Sequence, residues 1–245
     1  MRRESFVRSA FPGPFQLIDD TNLSAEARPS PLEYASWVKE KLTNLQPGEE
    51  GVLRFRRPRA TAAFSPQDTT HPDYERIKDQ ARANGFEPIE RGTGGRLTMF
   101  DEGSIGITII APHPEPHQQT MQRIEIFAGA IADALTKLGI DARVGELANE
   151  YCPGKFSINA EGRVKLVGIA QRINRTCIQM GAIISVERSE KACKSIAEAY
   201  LTMGLNFDPK TYGATMELQP SLKFADVTSA LIISVSSALN QNEHS

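Results

Sequence analysis

The sequence has 245 residues, of which 40% are hydrophobic and 24% charged, with a net charge of −2. This composition is typical of a globular protein with one large α/β domain or two small ones, and it argues against a nucleic-acid partner. Three cysteines, an odd number, argue against a disulfide framework and for a reducing compartment. Because we find neither a secretory signal nor an apolar stretch long enough to cross a membrane, we expect a cytoplasmic protein with no membrane partner.

The first 30 residues are polar with scattered Pro and Gly, and we expect an irregular N-terminal segment over residues 1–30. Beyond it, apolar spacing and turn residues predict a helix from Pro31, a strand over 52–56, a helix over 72–84, strands over 86–90, 96–100 and 104–111, a helix over 117–138, strands over 163–173 and 176–186, and helices over 190–203 and 226–239. Helices and strands are mixed, so the predicted fold class is α+β, with a single domain over residues 31–245 around a mixed sheet.

A glycine-rich segment, Arg91–Arg96 (RGTGGR), lies between two predicted strands. Three glycines in four positions permit positive φ angles and a close approach of a ligand to the backbone. Free N–H groups in such a loop can hold a carboxylate, a phosphate or a thioester carbonyl. A plain hairpin turn accounts for the same pattern, and it is the better account of this short motif taken alone.

The cysteine at position 152 stands out from the other two. Pro153 and Gly154 follow Cys152 directly and predict a turn with an accessible thiol. An accessible cysteine near a cation is a candidate nucleophile, because positive charge favours the thiolate. For an isolated cysteine, a role as a small hydrophobic residue is the commoner one. Cys177 and Cys193 lie in apolar or helical sequence and are predicted to be packing residues.

A lysine interrupts an otherwise apolar strand in the segment Gly162–Arg172. If Lys165 is buried, it needs a partner or a ligand, since the burial of an unpaired charge is costly. Gly168 would thin the strand where a ligand or another backbone approaches. A lysine on an edge strand that points into solvent is an equally good account of this pattern.

Taken together and in order, these segments resemble motifs of the lipoate ligase and octanoyltransferase family. Arg91–Arg96 is similar to the family's R-x-[ST]-G-G-[RG] loop, and Gly162–Arg172 is similar to its G-x-K-x-x-G-x-[AS]-Q-R strand. Tyr151–Ile158 resembles the Y-C-P-G-x-[YF]-[DS] segment of cysteine-dependent octanoyl and lipoyl transferases. The resemblance extends from about Val52 to Val186.

The resemblance implies the fold shared by the catalytic domains of biotin and lipoate protein ligases. In that fold a mixed sheet is flanked by helices, and the acyl chain occupies a tunnel over the sheet. Cys152 corresponds to the cysteine that carries the acyl group in the transferases, and Lys165 to the lysine that contacts the acyl carbonyl or acyl phosphate. The positions implied to bind substrate are Arg91, Gly94, Gly95, Arg96, Gly168, Ala170 and Gln171. No metal ligand is implied for the transferase reaction.

The implied function is transfer of an octanoyl or lipoyl group from a carrier thioester to a lysine of a lipoyl domain or of the glycine cleavage H protein. The donor would be an acyl carrier protein or acylated H protein, Cys152 would form the acyl-enzyme, and no cofactor would be needed. The alternative is an ATP-dependent lipoate-protein ligase, which uses ATP and magnesium and forms an acyl-adenylate held by Lys165. A third interpretation, a non-catalytic acyl or carrier-protein sensor, is disfavoured because both Cys152 and Lys165 are present.

Two departures from the ligase pattern favour the transferase. Many ligases have a His-Asp pair after the glycine loop, whereas residues 99–103 read Met-Phe-Asp-Glu-Gly. Many lipoate ligases also carry a C-terminal accessory domain, and the sequence up to Ser245 shows none.

Arginines are concentrated in and just after the strand predicted over 52–56, at positions Arg54, Arg56, Arg57 and Arg59. Acyl carrier proteins and lipoyl domains are generally acidic, so this cluster is predicted to steer one of them to the site. A solvated run of charge with no partner is an equally good account.

Overall fold

Two β-sheets with flanking helices make up the fold in the computed structural model, which describes residues 10–240. The strands are β1 (Phe15–Asp20), β2 (Gly51–Arg56), β3 (Thr61–Phe64), β4 (Glu87–Glu90), β5 (Thr98–Phe100), β6 (Ser104–Pro112), β7 (Ala142–Val144), β8 (Ile158–Ala160), β9 (Val164–Ile173) and β10 (Cys177–Ser185). The helices are α1 (Pro31–Asn44), α2 (Tyr74–Ala83), α3 (Thr120–Lys137), α4 (Glu190–Thr202), α5 (Thr215–Leu218) and α6 (Phe224–Asn240). Short 3₁₀ turns occupy Asp68–Thr70 and Pro209–Thr211.

The larger sheet has the strand order β1-β2-β6-β10-β9-β8-β7. β1 pairs with β2 in parallel, and the remaining neighbours in this sheet pair antiparallel. The smaller sheet has the order β4-β3-β5, with one parallel and one antiparallel pair. The predicted fold class, α+β around a mixed sheet, is therefore confirmed.

The two faces of the larger sheet have different neighbours. Helices α3 and α6 cover one face with apolar stripes at helical spacing, including Phe127, Ile131 and Leu135 from α3 and Val227 and Leu231 from α6. A second core joins the smaller sheet to α2, α4 and the segment that contains Tyr151. Helix α1 and the smaller sheet lie over the other face of the larger sheet, and the space between them is the site described below.

Local sequence fixes the start of α1 firmly. The Ser30 hydroxyl accepts the Glu33 N–H at 3.2 Å, and the Glu33 carboxylate accepts the Ser30 N–H at 2.7 Å, which forms a reciprocal cap ahead of Pro31. One turn later, the Tyr34 hydroxyl is 2.6 Å from the Thr108 hydroxyl on β6. The cap and this hydrogen bond fix α1 over the larger sheet.

Some expectations about the elements need correction. The predicted helices and the β9–β10 hairpin are confirmed to within a few residues. The irregular segment predicted over residues 1–30 is wrong for Phe15–Asp20, which form the parallel edge strand β1; residues 1–9 lie outside the described range. None of its six residues is buried, and its apolar residues Phe15, Leu17 and Ile18 do not alternate regularly with polar ones, so the pattern gave no strand signal. β3, β7 and β8 were also not predicted, because runs of three or four residues carry little periodicity. None of the helices within residues 10–240 is long and apolar enough to span a bilayer.

Candidate active site

A cavity of about 680 Å³ separates the larger sheet from α1 and the smaller sheet, a volume in the usual range for small-molecule sites. Its apolar wall includes Val38, Leu42, Ile89, Phe100, Ile169 and Ala182. The predicted site residues that line it are Cys152, Lys165, Arg91, Gly94, Gly95, Gly168, Ala170 and Gln171. The remaining predicted residue, Arg96, reaches the same place through its backbone N–H. The structure therefore brings the three sequence motifs together.

The backbone of Cys152 has a left-handed conformation, with φ of 44°. Such a conformation costs a residue with a side chain about 1–2 kcal/mol, so its surroundings must hold it in place. The Cys152 N–H donates to the Tyr200 hydroxyl at 2.6 Å, and the Cys152 carbonyl accepts from the Lys165 ammonium at 2.7 Å. Elements distant in sequence, α4 and β9, thus fix the direction of the thiol.

The glycine loop closes directly on this thiol. The Cys152 Sγ accepts the backbone N–H of Arg96 at 3.2 Å and lies 3.7 Å from Nη2 of Arg91. The same Nη2 donates to the Arg96 carbonyl at 2.7 Å, which braces the loop. Gly95 has φ of +99°, and a Cβ there would lie 2.8 Å from Sγ. The loop therefore has a role at the thiol that a plain hairpin turn would not require, and Arg91 is the cation that contacts the sulfur.

Lys165 is fully buried, and its ammonium uses all three of its donors. These donors reach Oε1 of Glu150 at 2.9 Å, the Tyr151 carbonyl at 2.9 Å and the Cys152 carbonyl at 2.7 Å. The edge-strand account of this lysine is wrong, because β9 lies between β10 and β8. Lys165 instead clamps the turn that presents the thiol.

Glu150 is the counter-ion of this lysine, and the motifs did not identify it. It is almost fully buried and also accepts the Ser157 hydroxyl at 2.6 Å and the Leu147 N–H at 3.0 Å. The signal that could have found it is the need of a buried ammonium for a negative partner. Glu150, two residues before Cys152, was the nearest carboxylate in the motif.

A β-bulge places Lys165 on the cavity side of the sheet. Asn159 pairs with Lys165, but Ile158 pairs with Val167, so Leu166 is an extra residue in β9. Leu166 and Val167 consequently both face the core. In a regular strand Lys165 and Gly168 would point to opposite faces. With the bulge they share one, and a Cβ on Gly168 would lie 3.8 Å from Cε of Lys165.

The other two cysteines have the environment predicted for them. Cys177 and Cys193 are buried, and burial raises the pKa of both thiols. Cys152 is only half-buried and lines the cavity. Burial also raises the pKa of Tyr200, which therefore remains a phenol that accepts the Cys152 N–H and donates to the Leu97 carbonyl at 3.0 Å. Sequence reasoning missed Tyr200, because nothing local in α4 indicates this contact.

Of the four arginines predicted to steer an acidic partner, Arg54 and Arg56 do not present a free guanidinium to solvent, and for Arg57 and Arg59 the steering role stays a prediction. Nε of Arg54 donates to Asp20 at 2.7 Å, and the guanidinium of Arg57 lies 3.2 Å from the Glu187 carboxylate. Arg56 is buried and lines the cavity. The prediction that these side chains steer an acidic partner is wrong for Arg54 and Arg56, because one is paired and the other faces inward.

The Cys152 thiol thus lies between two hydrogen-bond donors, at the side of a partly open and largely apolar cavity over a mixed sheet. The chain belongs to the family of the lipoyl protein ligase A/B catalytic domain, whose model matches residues 39–204. The resemblance of the three motifs is thereby confirmed.

Curated relatives and solved structures agree with this assignment. The chain is 25% identical over 144 residues to the octanoyl-GcvH:protein N-octanoyltransferase of Geobacillus kaustophilus, which covers 59% of this chain and 50% of that protein. It is 25% identical over 155 residues to the lipoyl-GcvH:protein N-lipoyltransferase of Listeria monocytogenes, covering 63% and 49%. The chain thus spans about half the length of these relatives. A crystal structure of lipoate-protein ligase A bound with ATP matches with a TM-score of 0.67 at 19% identity, covering 93% of this chain and 85% of that one, which shows a shared fold.

Proposed function

We propose that this protein is an acyltransferase that moves an octanoyl or lipoyl group from a carrier thioester to a lysine of a lipoyl domain or of the glycine cleavage H protein. The observation that carries the proposal is the position of the Cys152 thiol. It lies between the Arg91 guanidinium and the Arg96 N–H, and it faces a cavity large enough for an acyl chain. The names of the curated relatives, which transfer octanoyl or lipoyl groups from GcvH, support the same chemistry.

In the first step the Cys152 thiolate attacks the carbonyl carbon of the donor thioester. A new S–C bond forms, the donor's own C–S bond breaks, and the donor sulfur leaves with the proton that Cys152 gave up. Arg91 and the Arg96 N–H stabilise the attacking thiolate, since both point at its sulfur. The acyl chain remains in the cavity as a thioester of Cys152, which splits one difficult transfer into two easier ones.

In the second step the neutral amine of the acceptor lysine attacks the acyl carbonyl. The amide bond forms, the bond between the acyl carbon and Sγ breaks, and the proton lost by the amine balances the thiolate that is released. Lys165 supports both steps as a positioning residue, because it binds the carbonyls of Tyr151 and Cys152 and so holds the turn. Its positive charge also favours the negative charge that develops nearby.

On this route the partners are an acyl carrier protein or acylated H protein as donor and a lipoyl domain as acceptor, and the reaction takes place in the cytoplasm without nucleotide or metal. On the alternative ligase route, ATP and magnesium would activate a free acid as an adenylate, and Cys152 would take no part. The two routes therefore differ in their dependence on one sulfur atom.

Intact-mass analysis after mixing with octanoyl-carrier tests the proposal. The protein should gain the mass of one octanoyl group, and hydroxylamine should remove it. Cys152→Ser should abolish this adduct and the transfer to an apo-lipoyl domain, whereas Cys193→Ala, which changes a buried thiol outside the cavity, should retain both. If Cys152→Ser remains active with ATP and free octanoate, the acyl-enzyme proposal is wrong and the protein is a ligase.

A further inference from the structure

Arg56 is a buried cation inside the acyl cavity. Its side chain is 8% exposed, and its Nε has no hydrogen-bond partner. Arg54, two residues earlier on the same strand, pairs with Asp20, but no carboxylate within residues 10–240 forms an ion pair with Arg56. A buried charge without a counter-ion is costly, and an orphaned buried donor commonly marks the place of a ligand or water.

The surroundings hold the Arg56 guanidinium in place without neutralising it. The guanidinium lies 3.7 Å from the centre of the Tyr34 ring and 5.9 Å from that of Phe100. Gly106 on β6 makes room for the side chain, since a Cβ there would lie 3.2 Å from Nε and 3.3 Å from Cγ. Burial lowers the pKa of Arg56, but an arginine in a protein remains charged. A fixed positive charge therefore faces the cavity.

Arg56 and Cys152 both line the cavity, and strand pairing gives an estimate of how far apart they lie. Across the sheet, Arg56 pairs with Gly106, Gly106 with Ile183, and Ile183 with Gly168, which lies beside Lys165. Three strand spacings separate Arg56 from Gly168, about 14 Å.

The smaller sheet gives a similar distance. The N–H of Arg96 contacts the thiol, whereas Phe100, four residues further along the chain, has its ring centre 5.9 Å from the Arg56 guanidinium. Four residues span at most about 13 Å when fully extended. The far end of an acyl chain that is bound to Cys152 and follows the cavity would therefore approach Arg56.

We propose that the acyl group carried by this protein has a carboxylate at its far end, so that the substrate is a monoacyl derivative of a medium-chain dicarboxylic acid and Arg56 binds its free carboxylate. This inference rests on the proposed acyl transfer at Cys152 and changes only the far end of the chain. An octanoyl methyl group would displace water from the guanidinium and offer no acceptor in return. A carboxylate would accept from it in the bidentate geometry that arginine favours. The hydroxyls of Tyr34 and Thr108, which also line the cavity, share one hydrogen bond and leave one O–H free as a further donor.

Isothermal titration calorimetry with two probes that share an uncharged amide end tests the inference independently of turnover. The probes are N-butyloctanamide and the mono-N-butylamide of octanedioic acid, which present the same amide to Cys152 and differ at the far end. The wild-type protein should bind the octanedioic probe about ten- to a hundredfold more tightly, the range for a charged hydrogen bond. Arg56→Met, which keeps an unbranched side chain, should lose this preference, and Arg56→Lys should retain part of it. Arg54→Met, in the neighbouring arginine outside the cavity lining, is the matched control and should keep the preference.

The outcomes separate this inference from the proposed function. Equal or tighter binding of N-butyloctanamide by the wild type would overturn the inference, as would an unchanged preference in a folded Arg56→Met variant. If an octanoyl donor acylates Cys152 while the preference is absent, the acyl transfer stands and the role of Arg56 fails. If the preference is present but neither an octanoyl nor an octanedioyl donor acylates Cys152, Arg56 is a carboxylate site and the acyl-enzyme fails.

Discussion

Substitutions of Glu150 and Lys165, which form a buried ion pair, should have strongly non-additive effects on the free energy of unfolding. Neither side chain is exposed, and Nζ lies 2.9 Å from Oε1. Glu150→Gln keeps the shape but leaves a buried ammonium against two backbone carbonyls without a counter-charge. Breaking such a pair costs about 3–5 kcal/mol. We therefore expect the free energy of unfolding to fall by about that amount.

Substitution of the other partner, Lys165, should lower the free energy of unfolding by a similar amount. Lys165→Met leaves the Glu150 carboxylate buried with only the Ser157 hydroxyl and the Leu147 N–H as donors. The double variant Glu150→Gln/Lys165→Met removes both charges, and replacement of a whole buried pair is often close to neutral. The double variant should therefore be several kcal/mol more stable than the sum of the single losses predicts.

Urea unfolding of the four proteins measures this coupling, and intact-mass analysis of each with octanoyl-carrier measures acylation. The double variant should recover most of the stability but little of the acylation, because the carbonyls of Tyr151 and Cys152 lose the ammonium that holds the turn. Single losses that simply add to within about 0.5 kcal/mol would refute the reasoning on stability. Full acylation by the double variant would refute the positioning role of Lys165.

Other changes test the site with simple measurements. Gly95→Ala should lower both stability, by about 1–3 kcal/mol, and the acylation rate, because it adds a Cβ at positive φ against the nucleophilic sulfur. Gly204→Ala, also at positive φ but outside the cavity lining and with nothing within 4 Å, is its control and should keep the acylation rate. Tyr200→Phe should cost about 1–3 kcal/mol in urea unfolding, since a buried N–H and a buried carbonyl lose their partner; a loss under about 0.5 kcal/mol would contradict this. The raised pKa values of Cys177 and Cys193 should leave stability unaffected below about pH 8.5 and reduce it above, as the unfolded thiols ionise first; replacement of both by Ala should flatten that alkaline loss.

The sequence allowed the reactive segment to be found, because each motif is local. Cys152 beside Pro and Gly, and Lys165 in an apolar strand, are unusual residues within their own few neighbours. Their mutual contact spans 13 residues and joins the Lys165 ammonium to the Cys152 carbonyl, whereas the resemblance implied a contact of Lys165 with the acyl group. The thiol's direct neighbour was not anticipated: Arg91, 61 residues away, lies at the sulfur, whereas Lys165 binds the carbonyl of the same cysteine.

Contacts between distant elements could not be predicted from spacing alone. Tyr200 lies in an ordinary amphipathic helix, and only packing of α4 brings its hydroxyl to the Cys152 N–H. Arg56 was grouped with its neighbouring arginines as part of a cluster that steers an acidic partner, yet helix α1 covers it and its side chain lines the cavity. Charge in a sequence shows where a cation is, but burial decides whether it meets solvent or a ligand.

Because β9 contains an extra residue, the number of residues in the strand, as well as their identity, decides which face of the sheet each side chain occupies. If β9 were flattened into a regular pleat with all its residues kept, the side chains on one side of the bulge would exchange faces. Lys165 would then point into the helical core and Val164 into the cavity, with no change in either residue. Deletion of Leu166 would instead remove the extra residue and leave Lys165 and Gly168 on the cavity face, at the cost of one buried side chain. The odd spacing of lysine and glycine within the motif therefore encodes an irregular backbone, which a chain with the same residues at even spacing would not have.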